Sequence, residues 1–106
     1  MLTMDWYPTF CQAVGVQVNH PIDGVGLLDN LLDRSRSSPE RAMFWTRREG
    51  NNRYLGQSIW AVRQGEWKLL QNLPTQPFEL YNLAEDPKEM NNLAVEERER
   101  YNALAK

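Results

Sequence analysis

The sequence has little of several residues and patterns that mark common classes of protein. One of its 106 residues is cysteine, so an internal disulfide is excluded. The net charge is −2, whereas chains that bind nucleic acid are usually basic. No apolar run approaches the ~20 residues that span a bilayer, and no basic-then-apolar leader opens the chain. We therefore expect no nucleic-acid partner and no membrane partner, and the sequence leaves the localisation unknown.

The composition is that of one small domain with a modest core. Hydrophobic residues make up 42% of the chain and charged residues 25%, which is ordinary for a globular protein. Four tryptophans, four tyrosines and three phenylalanines favour a packed sheet over a disordered segment.

The clearest local pattern is a hairpin centred on Gln64-Gly65. Strand-like runs at residues 58–63 and 66–71 flank this pair, and glycine suits the second position of a two-residue turn. The predicted cross-strand pairs are Val62 with Trp67, Trp60 with Leu69, and Arg63 with Glu66 as an ion pair. Because side chains alternate along a strand, one apolar face is predicted to carry Trp60, Val62, Trp67 and Leu69. We predict that Trp60 and Trp67 pack in the core.

Further elements follow from spacing and from turn residues. An N-terminal helix capped by Asp5 and ended by Gly15 has an apolar face predicted at Tyr7, Phe10, Cys11 and Val14. Leucines at 27, 28, 31 and 32 indicate a second short helix, and residues 33–39 have the composition of a linker. Strands are predicted at 42–47 and 78–82, and a closing helix at 95–105 with Asn92 as its cap. The predicted fold class is α+β, a four-stranded antiparallel sheet packed on a C-terminal helix and preceded by short helices.

Five segments in order resemble the C-terminal region of the sulfatases. They are the helix at residues 2–16 (an Asp-x-x-Pro-Thr pattern), the Asp-Gly-x-x-Leu-Leu segment at 20–32, residues 59–72, residues 77–94 and the closing helix. The resemblance implies the same α+β architecture, with 1–38 ending the catalytic domain and 39–106 forming the C-terminal subdomain. It also implies that the chain is a C-terminal fragment of a sulfatase-like sulfuric ester hydrolase, here called the parent enzyme. A tail from a relative that acts on phosphate esters is an alternative, but residues 67–70 and 79–87 favour sulfatases.

Catalysis by the chain alone is not expected. Sulfatases use calcium and a formylglycine made from Cys or Ser in a Cys/Ser-x-Pro-x-Arg motif. Cys11 is followed by Gln-Ala-Val-Gly, so we interpret it as a structural cysteine. We also interpret the serines at 35, 37 and 38 as lacking the spacing that this motif requires. Asp29-Asn30 matches the family's calcium pair only superficially, so no catalytic residue, metal ligand or cofactor is predicted, and enzyme status stays uncertain.

Substrate-binding residues are predicted around the polar loop at residues 49–54. Arg47, Arg48 and Arg53 bracket this loop, which approaches the active-site mouth in sulfatases, and guanidinium groups suit sulfate oxygens. A solvated basic loop is the equally weighted alternative. Trp45 is a further candidate because it adjoins the arginines, and His20 is a candidate for the substrate rim, against the plainer reading of a loop residue before Pro21.

Two functions follow from this reading. In the first, the chain completes the fold and substrate rim of a parent catalytic domain. In the second, it is a stand-alone binding module for an anionic or sugar ligand. Because a catalytic domain is missing from the chain, we also expect self-association through the segments from Asp5 to Val14 and from Leu27 to Leu32.

Overall fold

A computed structural model of the protein describes residues 1–33, 35–48, 50, 52 and 55–106. The chain divides into two compact units, Met1–Pro39 and Glu40–Lys106. None of the helices in these described ranges has the length and apolar character needed to cross a membrane.

The first unit consists of two short helices and the loop between them. A 3₁₀ turn at Thr3–Asp5 leads into α1 (Trp6–Ala13), and α2 (Leu28–Leu32) follows the loop. Gly15 has φ +72°, the left-handed conformation that ends a helix at low cost in glycine, so the predicted end of α1 is confirmed.

The predicted apolar face of α1 lies in solvent, and polar side chains occupy the buried positions. Tyr7, Phe10 and Val14 are exposed, whereas Asp5 and Thr9 are buried. Apolar spacing does not register the hydrogen bonds that bring these polar side chains inside.

Asp5 and Thr9 attach the start of α1 to the loop before α2. The Asp5 carboxylate accepts hydrogen bonds from the backbone N–H of Leu2 (2.6 Å) and of Val25 (3.1 Å), and makes no capping bond to α1 itself. Thr9 Oγ1 donates to the Asp5 carbonyl (2.6 Å) and accepts from the Leu27 N–H (3.0 Å). The Asp-x-x-Pro-Thr pattern therefore acts here as a structural clamp on the Asp-Gly-x-x-Leu-Leu segment.

Two glycines of that segment lie against the helical residues before it, one near the start of the 3₁₀ turn and one in the last turn of α1. A Cβ atom added at Gly24 would collide with the carbonyl oxygen of Met4. One added at Gly26 would collide with the side chain of Gln12. The loop approaches this closely because neither residue has a side chain.

The second unit is an antiparallel sheet with one helix. Its strands run in chain order across the sheet, and its elements are β1 (Ala42–Arg48), β2 (Ser58–Gln64), β3 (Trp67–Leu70), β4 (Glu79–Asn82) and α3 (Arg98–Leu104). The predicted α+β fold class is confirmed.

The hairpin register differs from the prediction by two residues. Val62 pairs with Leu69 and Gln64 with Trp67, so the turn is centred on Gly65-Glu66. Gly65 has φ +58° and Glu66 does not have a positive φ, a combination typical of a type II′ turn with glycine first. The predicted Arg63–Glu66 pair is therefore wrong: Arg63 lies opposite Lys68, and its Nε donates to the Gly65 carbonyl at 3.0 Å.

A shift of two residues preserves the side of the sheet on which each side chain lies. The side that α3 covers is called the helix face, and it carries the core residues Val62, Leu69 and Leu80 with Ala94 beside them. Leu69 and Leu80 are 1% and 0% exposed, and burial of each such side chain contributes about 1.5–3 kcal/mol. The other side is called the far face.

The segment after β4 fastens itself to the β4 edge. The Leu93 N–H donates to the Leu80 carbonyl (2.8 Å), and Asn92 Oδ1 accepts from the N–H groups of Leu80 (3.1 Å) and Ala94 (3.0 Å). Asn92 was predicted to cap the closing helix, but it closes this turn instead, and α3 begins only at Arg98.

The half of the sheet at β1 is far less covered. Phe44 on the helix face is 72% exposed, Trp60 beside it 54%, and Trp45 on the far face 42%. The expectation that Trp60 packs in the core is therefore wrong, because the seven-residue α3 covers the β3–β4 side and does not extend over the β1 side.

Candidate functional site

Trp45 and Arg47 lie on the far face of β1, two residues apart. Their Cα partners on β2 are Ala61 and Ile59, so both side chains leave the same side of the sheet. Arg48 pairs with Ser58 and leaves the opposite side, where its Nε donates to the Gly56 carbonyl at 3.1 Å. Arg53 lies outside the described residues.

The predicted group of arginines is thus divided by the strand that carries it. Arg47 was predicted to end the strand before the loop, and β1 continues one residue further to Arg48. Consecutive residues of a strand point to opposite faces. One ligand on the far face can be reached by Arg47 but not by Arg48.

Two open hollows flank Trp45 on the far face. The smaller is about 160 Å³, and Arg47, Lys68 and Asn72 also line it. The larger is about 390 Å³ and lies between Trp45, Arg63 and the Lys68–Glu89 pair. An aromatic ring, a guanidinium and an amide in one concave place can stack on a sugar ring and hydrogen-bond an anionic substituent.

Lys68 lines both hollows but was not predicted from the sequence as a binding residue. Its Nζ lies 2.6 Å from Glu89 Oε1, and both side chains are about 30% exposed or less. The signal was available in the alternation of side chains, since Lys68 lies on the opposite face to Leu69 and therefore shares the face of Arg63 in the predicted and in the observed register.

Tyr81 extends the polar part of the far face towards β4. Its hydroxyl donates to Glu79 Oε2 at 2.7 Å, and Asn72 Nδ2 donates to the same oxygen at 2.7 Å. Burial, together with this hydrogen bond and the negative charges nearby, raises the pKa of Tyr81 to about 12. Tyr81 therefore stays protonated as a hydrogen-bond donor over the physiological range.

His20 belongs to the first unit, whereas the other predicted site residues belong to the second. Its ring centroid lies 6.1 Å from that of Tyr7, in a tilted arrangement. Its proposed place at a substrate rim stays a prediction.

Asp29 and Asn30 do not fit a calcium site. Asp29 Oδ2 lies 2.8 Å from Arg36 Nη1, and Asn30 Nδ2 donates to the carbonyls of Arg36 (3.1 Å) and Ser37 (2.9 Å). Both side chains thereby close the turn after α2. Within the part of the chain that the structure describes, no three His, Cys, Asp or Glu side chains gather as metal ligands.

The Ser-x-Pro-x-Arg spacing does occur once, which corrects our reading of the serines. It runs Ser37-Ser38-Pro39-Glu40-Arg41 and crosses the boundary between the two units. Ser37 and Ser38 are exposed in irregular backbone, and Ser37 contributes its carbonyl to Asn30 rather than its hydroxyl to a described partner. Nothing described near Ser37 resembles a site for sulfate chemistry, so we treat the spacing as coincidental.

A second concave surface lies on the helix face. This apolar groove of about 440 Å³ runs beside the end of α3, and its lining includes Phe44, Thr46, Trp60, Phe78 and Leu104. It is the uncovered continuation of the core, because Val62 and Leu69 form its floor.

Comparisons with known proteins place the chain in a family. A family profile described as "N-sulphoglucosamine sulphohydrolase, C-terminal" matches residues 1–106. A comparison with curated proteins found no match.

Several solved structures share the fold. Ps i-CgsB, solved in complex with k-i-k-neocarrahexaose, is 24% identical with a TM-score of 0.76, and the match covers 94% of this chain and 21% of that one. BT4656, solved with D-glucosamine-2-N,6-O-disulfate, is 24% identical with a TM-score of 0.73, covering 95% and 22%. A putative sulfatase from Bacteroides thetaiotaomicron is 26% identical with a TM-score of 0.68, covering 95% and 23%.

The extent of these matches agrees with the five segments that resemble sulfatases. The chain spans about a fifth of the length of the solved structures that it matches. The family profile, in contrast, matches the chain from its first residue to its last. The chain therefore belongs to the N-sulphoglucosamine sulphohydrolase C-terminal family, the C-terminal region of the sulfatases.

Proposed function

We propose that the chain serves as the C-terminal domain of a sulfatase-type sulfuric ester hydrolase and has no turnover of its own. In this role it completes the fold of a catalytic domain and contributes part of the substrate rim. The observation that carries the proposal is the match of the C-terminal family to all 106 residues. Calcium and formylglycine would belong to the catalytic domain, and no step of the chemistry is assigned to this chain.

The open half of the second unit supports this role. Exposed apolar side chains on both sides of β1, with an apolar groove beside them, are what a domain retains when it packs against a larger neighbour. Trp45 and Arg47 would then lie where the sheet meets the substrate of that neighbour.

A chimera tests the proposal directly. The C-terminal fifth of the putative Bacteroides sulfatase is replaced by this chain, and hydrolysis of an aryl sulfate is measured beside the isolated chain. We expect a folded chimera that releases sulfate and an isolated chain that releases none. Sulfate release by the purified isolated chain, or a chimera that cannot fold, would refute the proposal.

A separate experiment tests whether Arg47 contributes to the substrate rim. In an active chimera, Arg47→Ala is expected to raise KM for an anionic sugar substrate by about ten- to a hundredfold, since one charged hydrogen bond contributes about 1.5–3 kcal/mol. Arg48→Ala is the matched control, because Arg48 leaves the other side of β1. Equal KM values for the two variants would remove Arg47 from the rim.

The second candidate function is a binding module for an anionic sugar. It is favoured by the smaller far-face hollow, which Trp45, Arg47, Lys68 and Asn72 line together. Titration of the isolated chain with D-glucosamine-2-N,6-O-disulfate, followed by tryptophan fluorescence, distinguishes the two functions. Saturable binding that Trp45→Ala abolishes and Trp6→Ala retains would favour the module, and the absence of binding would favour the domain role.

A further inference from the structure

The two edge strands of the sheet, β1 and β4, differ in how their outward backbone N–H and C=O groups are hydrogen-bonded. At β4, the Leu93 N–H and the Asn92 side chain occupy backbone groups of Leu80. At β1, the described backbone hydrogen bonds of Ala42–Thr46 run only to β2. An open edge of this kind presents a row of donors and acceptors to any added strand.

Each face of β1 also has an exposed aromatic side chain. Phe44 is exposed on the helix face and Trp45 on the far face. A partner lying on one face would leave the aromatic side chain on the other face in water. A strand added beside β1 contacts both side chains, because its own side chains alternate between the same two faces.

We propose that β1 pairs with β1 of a second copy of this chain, antiparallel and about a two-fold axis at Trp45. Two four-stranded sheets then join into one continuous sheet. Such an interface is isologous, the commonest arrangement in homodimers. The inference concerns the isolated chain, because under the proposed function a catalytic domain would compete with the second copy for the exposed side chains of β1.

Strand length and charge select this register. Trp45 is the middle residue of Ala42–Arg48, so a centre at Trp45 pairs all seven residues. Its pairs are Trp45 with Trp45, Phe44 with Thr46, Met43 with Arg47 and Ala42 with Arg48. A centre at Phe44 would set Arg41 opposite Arg47, and like charges directly opposite are destabilising. A centre at Trp45 places no like charges opposite each other within β1.

Disulfide trapping tests the register. In a Cys11→Ser background, which removes the only native cysteine, Trp45→Cys is placed on the two-fold axis. Directly opposite Cα atoms in an antiparallel pair lie about 4.5–5.5 Å apart, which a disulfide spans. We expect a disulfide-linked dimer on mild oxidation, seen on a non-reducing gel.

Met43→Cys in the same background is the matched control. Its own copy would lie about 13 Å away along the strand, too far for a disulfide. Equal cross-linking of the two variants, or none by Trp45→Cys, would overturn the proposed register.

Light scattering tests the interface without an introduced cysteine. The wild-type chain at micromolar concentration is expected to have twice the 12.4 kDa mass of one copy, and Trp45→Lys to raise the dimer Kd about tenfold by removing an aromatic pair and opposing two ammonium groups. Phe10→Lys on α1 should leave the Kd unchanged. A 12.4 kDa wild-type particle, or dissociation caused by Phe10→Lys instead, would overturn the proposal. The second result would assign self-association to the N-terminal segment.

Discussion

The β3–β4 half of the sheet is covered on both faces and along its edge, whereas β1, apart from Ala42 which packs against the core, exposes an aromatic side chain on each face. Over β3 and β4, α3 packs on the helix face, Glu89 reaches Lys68 on the far face, and Asn92 occupies the edge. Over β1, Phe44 and Trp45 remain exposed. One half therefore supplies the stability of the unit, and the other supplies a surface for a partner.

The covered half coincides with the segment that most strongly indicated the family. Residues 79–94 contain Leu80 in the core, Tyr81 bonded to Glu79, and Asn92 at the turn. Asp86 accepts hydrogen bonds from the N–H groups of Met90 (2.7 Å) and Asn91 (2.8 Å). The motif is thus explained by folding, and recognition of a ligand has to be sought elsewhere.

Leu80→Ala should lower the free energy of unfolding more than the other changes proposed for the two halves of the sheet. Leu80 is fully buried, and truncation of such a leucine costs about 2–5 kcal/mol of the free energy of unfolding. Phe44→Ala, at the exposed end of the same face, should cost no more than about 0.5 kcal/mol. Urea unfolding followed by tryptophan fluorescence measures both. Similar losses would show that the two halves pack equally tightly.

Asn92→Ala should have the next largest effect. The change removes the acceptor of two N–H groups, those of Leu80 and Ala94, and we expect a loss of about 1–3 kcal/mol with faster hydrogen exchange at the Leu80 amide. Asn91→Ala is the neighbouring control and should lie within about 0.5 kcal/mol of the wild type. An unchanged exchange rate at Leu80 would remove Asn92 from the β4 edge.

Tyr81 should make the stability of the covered half depend on pH. Its folded-state pKa of about 12 lies above the ordinary value of 10.0, chiefly because of burial, so the folded chain retains the phenol proton more tightly than the unfolded chain does. The stabilisation is full below pH 10 and is lost as pH rises through about 12. Urea unfolding along this range should show the decline, and Tyr81→Phe should remove it whereas Tyr7→Phe retains it. A decline that persists in Tyr81→Phe would assign the titration to another group.

Ser37→Ala should have the smallest effect. Ser37 is exposed near the end of the first unit, and its hydroxyl has no described partner. We expect unchanged stability and, in an active chimera, unchanged sulfate release. A loss of activity would mean that the Ser-x-Pro-x-Arg spacing has a chemical role after all.

The sequence predicted the faces of the sheet but not the hairpin register. Alternation assigns Val62 and Leu69 to one face, and a turn centred on Gln64-Gly65 or on Gly65-Glu66 preserves that assignment equally well. The register follows from the glycine standing at the first central position of the turn, with φ +58°. A periodic pattern contains no information on this choice.

The burial of polar side chains on α1 was not predicted. Apolar residues at helical spacing mark one face of the helix, but Asp5 and Thr9 are the buried residues because loop N–H groups need acceptors there. The Asp-x-x-x-Thr spacing, one helical turn, was the available signal.

The candidate site could be predicted only in part. Trp45 and Arg47 share a face, as a two-residue spacing on the predicted strand at 42–47 requires, whereas the extension of β1 to Arg48, which points to the other face, was not predicted. The exposure of Trp60 could not be predicted, since it depends on how far α3 extends across the sheet.

Gly24 and Gly26 have different tolerances to replacement. At Gly26 the obstructing atoms belong to the flexible Gln12 side chain, which can rotate aside, so alanine is accommodated with a small adjustment. At Gly24 the obstruction is the main chain of Met4, and no rotamer relieves it. In a saturation library screened for folded protein, codon 24 should therefore return glycine alone, while codon 26 should also return alanine.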